Sequence, residues 1–186
     1  MKDNVMETPL TRDQEKSLLR LARLAITLFL QEGSTPAMET DDATLKKKRG
    51  AFVTLKVKGQ LRGCIGYPIP HKPLSETIID VAISAATKDF RFSPLEQKEL
   101  NDTKIEISVL SQPRLIKDIS EIEVGKHGII ITKGPHRGLL LPQVPIEWGW
   151  DRETFLNHGC IKAGIEEDAW KKDAQIEIFS AQVFSE

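Results

Sequence analysis

Ala51-Phe52-Val53-Thr54-Leu55-Lys56-Val57-Lys58-Gly59-Gln60-Leu61-Arg62-Gly63-Cys64-Ile65 is the stretch whose reading decides the fold. Ala51, Val53, Leu55 and Val57 alternate with Phe52, Thr54 and Lys56, the two-residue period of a half-buried strand. Lys58, Gly59 and Gln60 turn the chain, and residues 61–65 return as the partner strand. Loop length sets which side chains meet. A two-residue loop pairs Val57 with Arg62 and Leu55 with Cys64. A three-residue loop pairs Val57 with Leu61, Val53 with Ile65, Lys56 with Arg62 and Thr54 with Cys64. The second register sets apolar on apolar and polar on polar, so it is the expected one.

Upstream, Thr11 and Gln14 form a capping box, and Leu18, Leu21, Ala22, Ala25, Leu28 and Phe29 make an apolar stripe, which predicts a helix over 11–32. Gly33 and Pro36 end it. Residues 33–49 show no sustained apolar period and carry the basic run Lys46-Lys47-Lys48-Arg49, so they read as an exposed connection. Downstream, Pro68, Pro70 and Pro73 hold off regular structure until a helix opens near Leu74, with Ile78, Val81, Ala82 and Ala85 on one face. Residues 89–94 close that helix, and residues 104–110 alternate as a strand with one wet face.

The same order then returns. Residues 129–132 read as a strand, Lys133-Gly134-Pro135 as a turn, 137–141 as the partner strand, 151–163 as a helix with an acidic first turn and 175–184 as a last strand. Displacing the first hairpin by 75 positions, from Arg62 to Arg137, aligns Gly50 with Gly125, Lys58 with Lys133, Gly59 with Gly134, Gly63 with Gly138 and Pro70 with Pro145. Ile-Glu-Ile follows each helix, at 105–107 and 176–178. The expected architecture is α+β in two unequal subdomains, 50–110 and 125–186, each a hairpin, helix and strand, with antiparallel or mixed sheets packed on helices. The groove between such lobes is the natural place for a site.

Composition narrows the class. With 186 residues, one substantial core or two small lobes can form, but hardly two independent domains. Forty per cent apolar and 28% charged residues are ordinary for a globular chain. Twenty-six basic against 27 acidic residues argue against sequence-blind nucleic-acid binding as the main task. The longest apolar stretch, 18–30, is broken by Arg20, Arg23 and Thr27 and is too short for a bilayer, while residues 1–10 lack the order of a signal peptide. Residence in the cytosol is the expectation, where Cys64 and Cys160 stay thiols.

Leu61-Arg62-Gly63-Cys64-Ile65-Gly66 resembles the hallmark of the AMMECR family. Ser84-Ala85-Ala86, Asp89-Phe90-Arg91-Phe92 and Pro94-Leu95 are similar to its second block. Gly138-Leu139-Leu140-Leu141-Pro142-Gln143, Gly149-Trp150-Asp151 and Cys160-Ile161-Lys162-Ala163-Gly164 resemble its third. The blocks run in the family's order from about Gly50 to the C-terminus, which is far more specific than any one of them. Phe90 departs from the pattern, where the family commonly has proline. The resemblance implies an intracellular protein of mixed α/β elements in two subdomains, with no agreed catalytic activity. It also implies the company of Memo-like and radical SAM proteins, and hence a modification pathway acting on nucleic acid or a nucleotide.

Several residues could carry chemistry. In the expected register Cys64 lies beside Arg62 and Lys56, and neighbouring cations favour a thiolate. Its sulfur and the Arg62 guanidinium would then emerge together, away from the aliphatic packing. A nucleophile needs a base, and His71 is the closest histidine in sequence. The competing reading makes Cys64 a small packing residue between Gly63 and Gly66. Arg62 facing Lys56 calls for an acidic partner, for which Asp89 is the internal candidate, or for a phosphate or carboxylate ligand. Asp89 and Arg91 either tie the loop to backbone or face a groove. Gln143, in a proline-flanked turn, either presents its amide to a planar group or bonds to backbone. Trp148, Trp150 and Trp170 read as core anchors of the second lobe, against the alternative of stacking on a base.

No metal-ligand spacing and no phosphate-cradling glycine loop can be read, and no cofactor is implied. Two functions stay open. One is a binding or scaffold module presenting a groove to an anionic ligand or protein segment. The other is an enzyme of nucleic-acid or nucleotide modification with Cys64 as nucleophile or carrier.

Overall fold

The computed structural model describes residues 9–37 and 40–186. It divides into two compact units, one taking the chain up to Leu110 together with Gln182–Glu186, the other Ser111–Ala181.

The first unit opens with helix α1 (Arg12–Glu32). Thr11 accepts from the Gln14 amide and Gln14 reaches back to the Thr11 N–H, so the box satisfies two orphan donors, and Gly33 closes the far end at φ +67°. Strands β1 (Ala51–Val57) and β2 (Gln60–Tyr67) form the hairpin, helix α2 (Leu74–Thr87) follows, and β3 (Thr103–Leu110) pairs antiparallel with the other side of β1. β2 is therefore an edge strand. Val53 and Leu55 of β1, Ile105, Ile107 and Val109 of β3, Leu74, Ile78, Val81 and Ala82 of α2, and Leu18, Ala22 and Ile26 of α1 close one core. Each fully buried Val, Leu or Ile side chain there contributes about 1.5–3 kcal/mol relative to exposure.

The second unit repeats this construction. Strands β5 (His127–Lys133) and β6 (His136–Leu140) form a hairpin, α4 (Arg152–Ala163) covers it, and β7 (Gln175–Ser185) pairs antiparallel with β5. Asp151 caps α4 by accepting from the Thr154 amide at 2.8 Å. Ile129, Ile131, Ile176, Ile178, Phe155, Leu156 and Cys160 fill its core. Ahead of the hairpin a two-residue strand, β4 (Arg114–Leu115), pairs with β7, and a one-turn helix, α3 (Val144–Trp148), follows it. Neither short element has a periodic signal in the sequence. β7 belongs to the second unit up to Ala181 and to the first beyond it.

The two hairpin-and-helix pairs share one packing device. A Cβ on Gly63 of β2 would stand 2.1 Å from the Ala85 carbonyl of α2, and one on Gly138 of β6 would stand 2.4 Å from the Ala163 nitrogen of α4. Only a missing side chain lets each helix lie that close to the second strand of its hairpin. Those two glycines are partners under the 75-residue displacement.

Two sequence expectations need correction here. The connection over 33–49 is not simply exposed: Leu45 is 3% exposed inside the first core, and Arg49 is buried with its Nε donating to the Leu110 carbonyl at 3.1 Å. Its last residue is thus a structural anchor. The tryptophans also divide. Trp150 and Trp170 pack on the second core, but Trp148 is 70% exposed because α3 ends at Gly149 with that ring turned outward.

Candidate functional site

The hairpin tip is tighter than the favoured register supposes. Lys58 at φ +51° and Gly59 at φ +79° make a two-residue turn that pairs Val57 with Gln60 and Lys56 with Leu61. Arg62 is then an extra residue without a partner, a bulge, after which Leu55 meets Gly63, Thr54 meets Cys64 and Val53 meets Ile65. The three-residue pairing therefore holds for the far half of the hairpin and fails at Val57–Leu61 and Lys56–Arg62.

The bulge redirects Arg62. Its Nε and Nη2 form a fork on the Glu99 carboxylate at 2.9 and 3.0 Å, while Nη1 donates to the Ser93 carbonyl at 2.8 Å and Nη2 to Pro94 at 3.2 Å. Asp89 is accordingly not its partner. Lys56 does not face it either, and pairs across the sheet with Glu106 at 2.9 Å. The Arg62 fork first, and then the Glu96 N–H that the Glu99 carboxylate also accepts, hold the Glu99 carboxyl below its usual range. Glu99 escapes sequence reading as a partner, although Glu96 and Glu99 have capping-box spacing and do form that box at a short 3-10 turn.

Asp89 instead builds a latch on the free edge of β2. Its carboxylate accepts the Cys64 N–H at 2.8 Å, Arg91 Nη2 at 2.7 Å, Arg91 Nε at 2.9 Å and the Arg91 N–H at 3.2 Å. The Phe92 N–H returns to the Asp89 carbonyl at 3.0 Å. Arg91 Nη2 also lies 3.5 Å from the Cys64 carbonyl. Both polar groups that an edge residue turns outward are thus met by one Asp–Arg pair, which blunts the edge against further pairing. The Asp89 side chain is 2% exposed, and the Arg91 fork first, then the backbone donors, hold its carboxyl far below the ordinary range against the opposing pull of burial. Phe90 is 95% exposed, so the departure from proline leaves the latch untouched.

Cys64 is half-buried and accepts the Thr54 hydroxyl at its sulfur, at 3.2 Å. Gly63 and Ile65 on either side of it face α2 and the first core, so strand alternation turns the Cys64 side chain to the other face of the sheet. His71 rests on Tyr67, with ring centroids 4.8 Å apart, and its Nδ1 meets the Ile69 carbonyl at 3.0 Å. Among the described residues the sulfur has no hydrogen bond to a histidine or carboxylate. Cys160 is fully buried and its thiol is pushed up by that burial, as a packing residue. Gln143 is exposed in the second unit, where its carbonyl accepts from Ile146 and Glu147. Among the described residues no three His, Cys, Asp or Glu side chains gather to hold a metal ion.

Cys64, Asp89 and Arg91 thus form one cluster, with Arg62–Glu99 bracing the loop that carries it. An α+β chain of paired hairpin-and-helix units, with a hexapeptide on an edge strand latched by an Asp–Arg pair, defines a class of small two-unit domains. The AMMECR1 family model matches residues 19–184, and the chain belongs to that family. It is 46% identical to protein MK0488 of Methanopyrus kandleri over 97% of this chain and 92% of that one. It is also 46% identical to a protein of Methanothermobacter thermautotrophicus, over 96% and 97%. The crystal structure of the uncharacterized protein PH0010 from Pyrococcus horikoshii is similar to it, with 43% identity, a TM-score of 0.81 and coverage of 91% and 90%. Among the described residues no helix is long and apolar enough to cross a membrane.

Proposed function

We propose that this chain is a binding module in which Arg91, fixed by Asp89 at the edge of the hairpin, receives an anionic group of a ligand or protein segment. The observation that carries this reading is the position of the Arg91 guanidinium. It is clamped by a buried carboxylate and yet 45% exposed, and among the described residues its Nη1 has no partner. Arg62 and Lys56, the other cations near the hexapeptide, are spent on Glu99 and Glu106. A pre-oriented guanidinium loses little freedom on binding, which suits recognition of a carboxylate or phosphate. The Asp89 hydrogen bonds also push the Arg91 guanidinium further up, so its charge does not vary with pH.

The resemblance implies the company of Memo-like and radical SAM proteins, and those are the partners to try. Titration calorimetry with the Memo-like and radical SAM proteins of the same genome, using wild type, Arg91→Gln and Cys64→Ser, tests the reading. Arg91→Gln is expected to weaken the complex at least about tenfold, or about 1.4 kcal/mol, and Cys64→Ser to leave it intact. Undiminished affinity in Arg91→Gln removes the proposal.

Chemistry at Cys64 is the second reading, favoured by one observation: the Cys64 N–H and Arg91 Nη2 share the Asp89 carboxylate, at 2.8 and 2.7 Å, which sets the guanidinium beside the residue that carries the thiol. A Cys64→Ser chain that binds normally but abolishes the pathway's output would establish it.

A further inference from the structure

Helix α1 buries one face in the first unit and leaves a second stripe open. Leu18, Leu19, Leu21, Ala22, Ala25 and Ile26 are buried, Leu19 keeping only 9% of its surface exposed, at the border of that stripe. Lys16, Leu19, Arg20, Arg23, Leu24 and Thr27 line a mostly apolar groove of about 460 Å³. These positions recur every three or four residues over three turns, so the groove follows one side of the helix and lies open to solvent.

One wall is rigid. Arg23 donates to the carbonyls of Leu100 and Thr103 at 2.8 and 2.6 Å and is paired with Glu186, whose carboxylate also accepts the Ile105 N–H at 3.2 Å. The other side is different: Leu24 is 47% exposed, and Lys16 and Arg20, one turn apart, stand out in solvent without an ion-pair or hydrogen-bond partner among the described residues.

We infer that this groove docks an acidic amphipathic helix of a protein partner, its apolar side chains on Leu19, Leu24 and the Thr27 methyl and two of its carboxylates, four residues apart, on Lys16 and Arg20. Three features select that occupant. The three-turn run of lining positions matches the helix-in-groove mode, in which anchors follow the i, i+3, i+4, i+7 pattern. Among the described residues the unpartnered charges at the rim are both positive, and the Glu186 side-chain carboxylate in the lining is already paired with Arg23, so the field selects negative charge. A second copy of this chain laid on the same stripe would bring Lys16, Arg20 and Arg23 against their own counterparts, a like-charge contact. Leu24, as the single large apolar side chain standing well out of the stripe, is also too little apolar surface for a bilayer, which needs a broad hydrophobic face.

This surface is separate from Arg91 and stands or falls without it. The test is selection from a displayed library of helical peptides about four turns long on the intact chain, followed by fluorescence anisotropy of the enriched peptides. Enrichment of peptides with Asp or Glu at i and i+4 beside a leucine-rich face is expected. Their affinity is expected to fall about tenfold for Leu24→Asp and for the Lys16→Glu/Arg20→Glu double variant, and peptides with Lys in place of the acidic pair are expected to bind that double variant instead. All three substitutions are at exposed positions, so the fold is retained. The inference is overturned by no enrichment, by basic or neutral winners, or by winners that bind Leu24→Asp as well as wild type. Leu24-dependent binding to phosphatidylglycerol vesicles without peptide binding, or a concentration-dependent dimer dissolved by Leu24→Asp, also overturns it.

Discussion

Asp89 and Cys64, 25 residues apart, are joined at 2.8 Å by a bond from the backbone of an edge strand to a buried carboxylate. The same carboxylate holds the Arg91 fork, so one ionised group fixes both the rim of the hexapeptide and the guanidinium beside it. Sequence motifs separated by helix α2 meet there, and the meeting depends on charge.

That dependence gives a pH signature. The Asp89 carboxyl lies far below its usual range when folded and returns to about 4 when unfolded. A depressed folded pKa stabilises above the unfolded value, and the contribution is lost as pH falls from about 4 toward the folded value. Asp89→Asn is expected to cost about 2 kcal/mol at neutral pH and progressively less below about pH 4. Urea unfolding of both chains at neutral pH and near pH 2.5 checks it, and a gap of equal size at both would show that charge plays no part in the latch.

The two helix-facing glycines should behave alike. Gly63→Ala and Gly138→Ala drive a methyl into helix backbone, at 2.1 Å from the Ala85 oxygen and 2.4 Å from the Ala163 nitrogen, and backbone cannot step aside as a side-chain tip can. A loss of at least about 2 kcal/mol is expected for each. Gly134→Ala, in open space at φ +56°, is expected to cost only about 1 kcal/mol through its dihedral. Thermal melts of the three variants test the ranking, and equal losses at all three would mean that dihedral freedom, not helix contact, keeps these glycines.

Much of this was legible in the chain itself, and the failures share a cause. Alternation along β1 and β2 was enough to place Thr54 opposite Cys64 and Val53 opposite Ile65, because one face had to be buried. The repeated Ile-Glu-Ile and the paired glycines announced the second hairpin-and-helix unit. The bulge at Arg62 was not legible, since a ladder gains nothing locally from an extra residue. What stabilises it is the fork on Glu99, 37 residues away, and the two carbonyls beside it. Arg49 likewise looked like one of four solvated cations, and only the Leu110 carbonyl explains its burial. Asp89 and Arg91 were read as site candidates, but not that they would hold one another and leave Glu99 to Arg62. Pairwise choices among like charges depend on tertiary distance, which periodicity does not encode.

The Arg62–Glu99 pair invites a double-mutant cycle. Both side chains are mostly buried, and the geometry is bidentate with two further bonds from Arg62 to the loop carbonyls of Ser93 and Pro94. Arg62→Ala is expected to cost about 2–3 kcal/mol, since the carbonyls lose a donor as well as the carboxylate. Glu99→Gln should cost less, and the coupling between the two should reach about 1–2 kcal/mol. Chemical denaturation of the four chains measures it. Additive losses would show that Arg62 serves the carbonyls alone, and Arg62 would then be freer to hold an anion than the fork implies.

Thiol reactivity separates packing from chemistry at the two cysteines. Cys160 is fully buried in the second core, where desolvation pushes its thiol up, so labelling requires the unit to open. Cys64 is half-buried beside Thr54, on an edge strand held shut by Asp89. In the folded chain near pH 8 a disulfide-exchange reagent is expected to give one phase for Cys64 and a far slower one for Cys160 that follows global unfolding. Cys64→Ser should abolish the first phase alone. Loosening the latch with Asp89→Asn should speed that first phase without touching the second, because the Asp89 bond to the Cys64 N–H holds that residue in the edge strand. If Cys64 reacted only at the unfolding rate, the edge would be closed more firmly than its half-buried sulfur indicates, and covalent chemistry at that position would have no access.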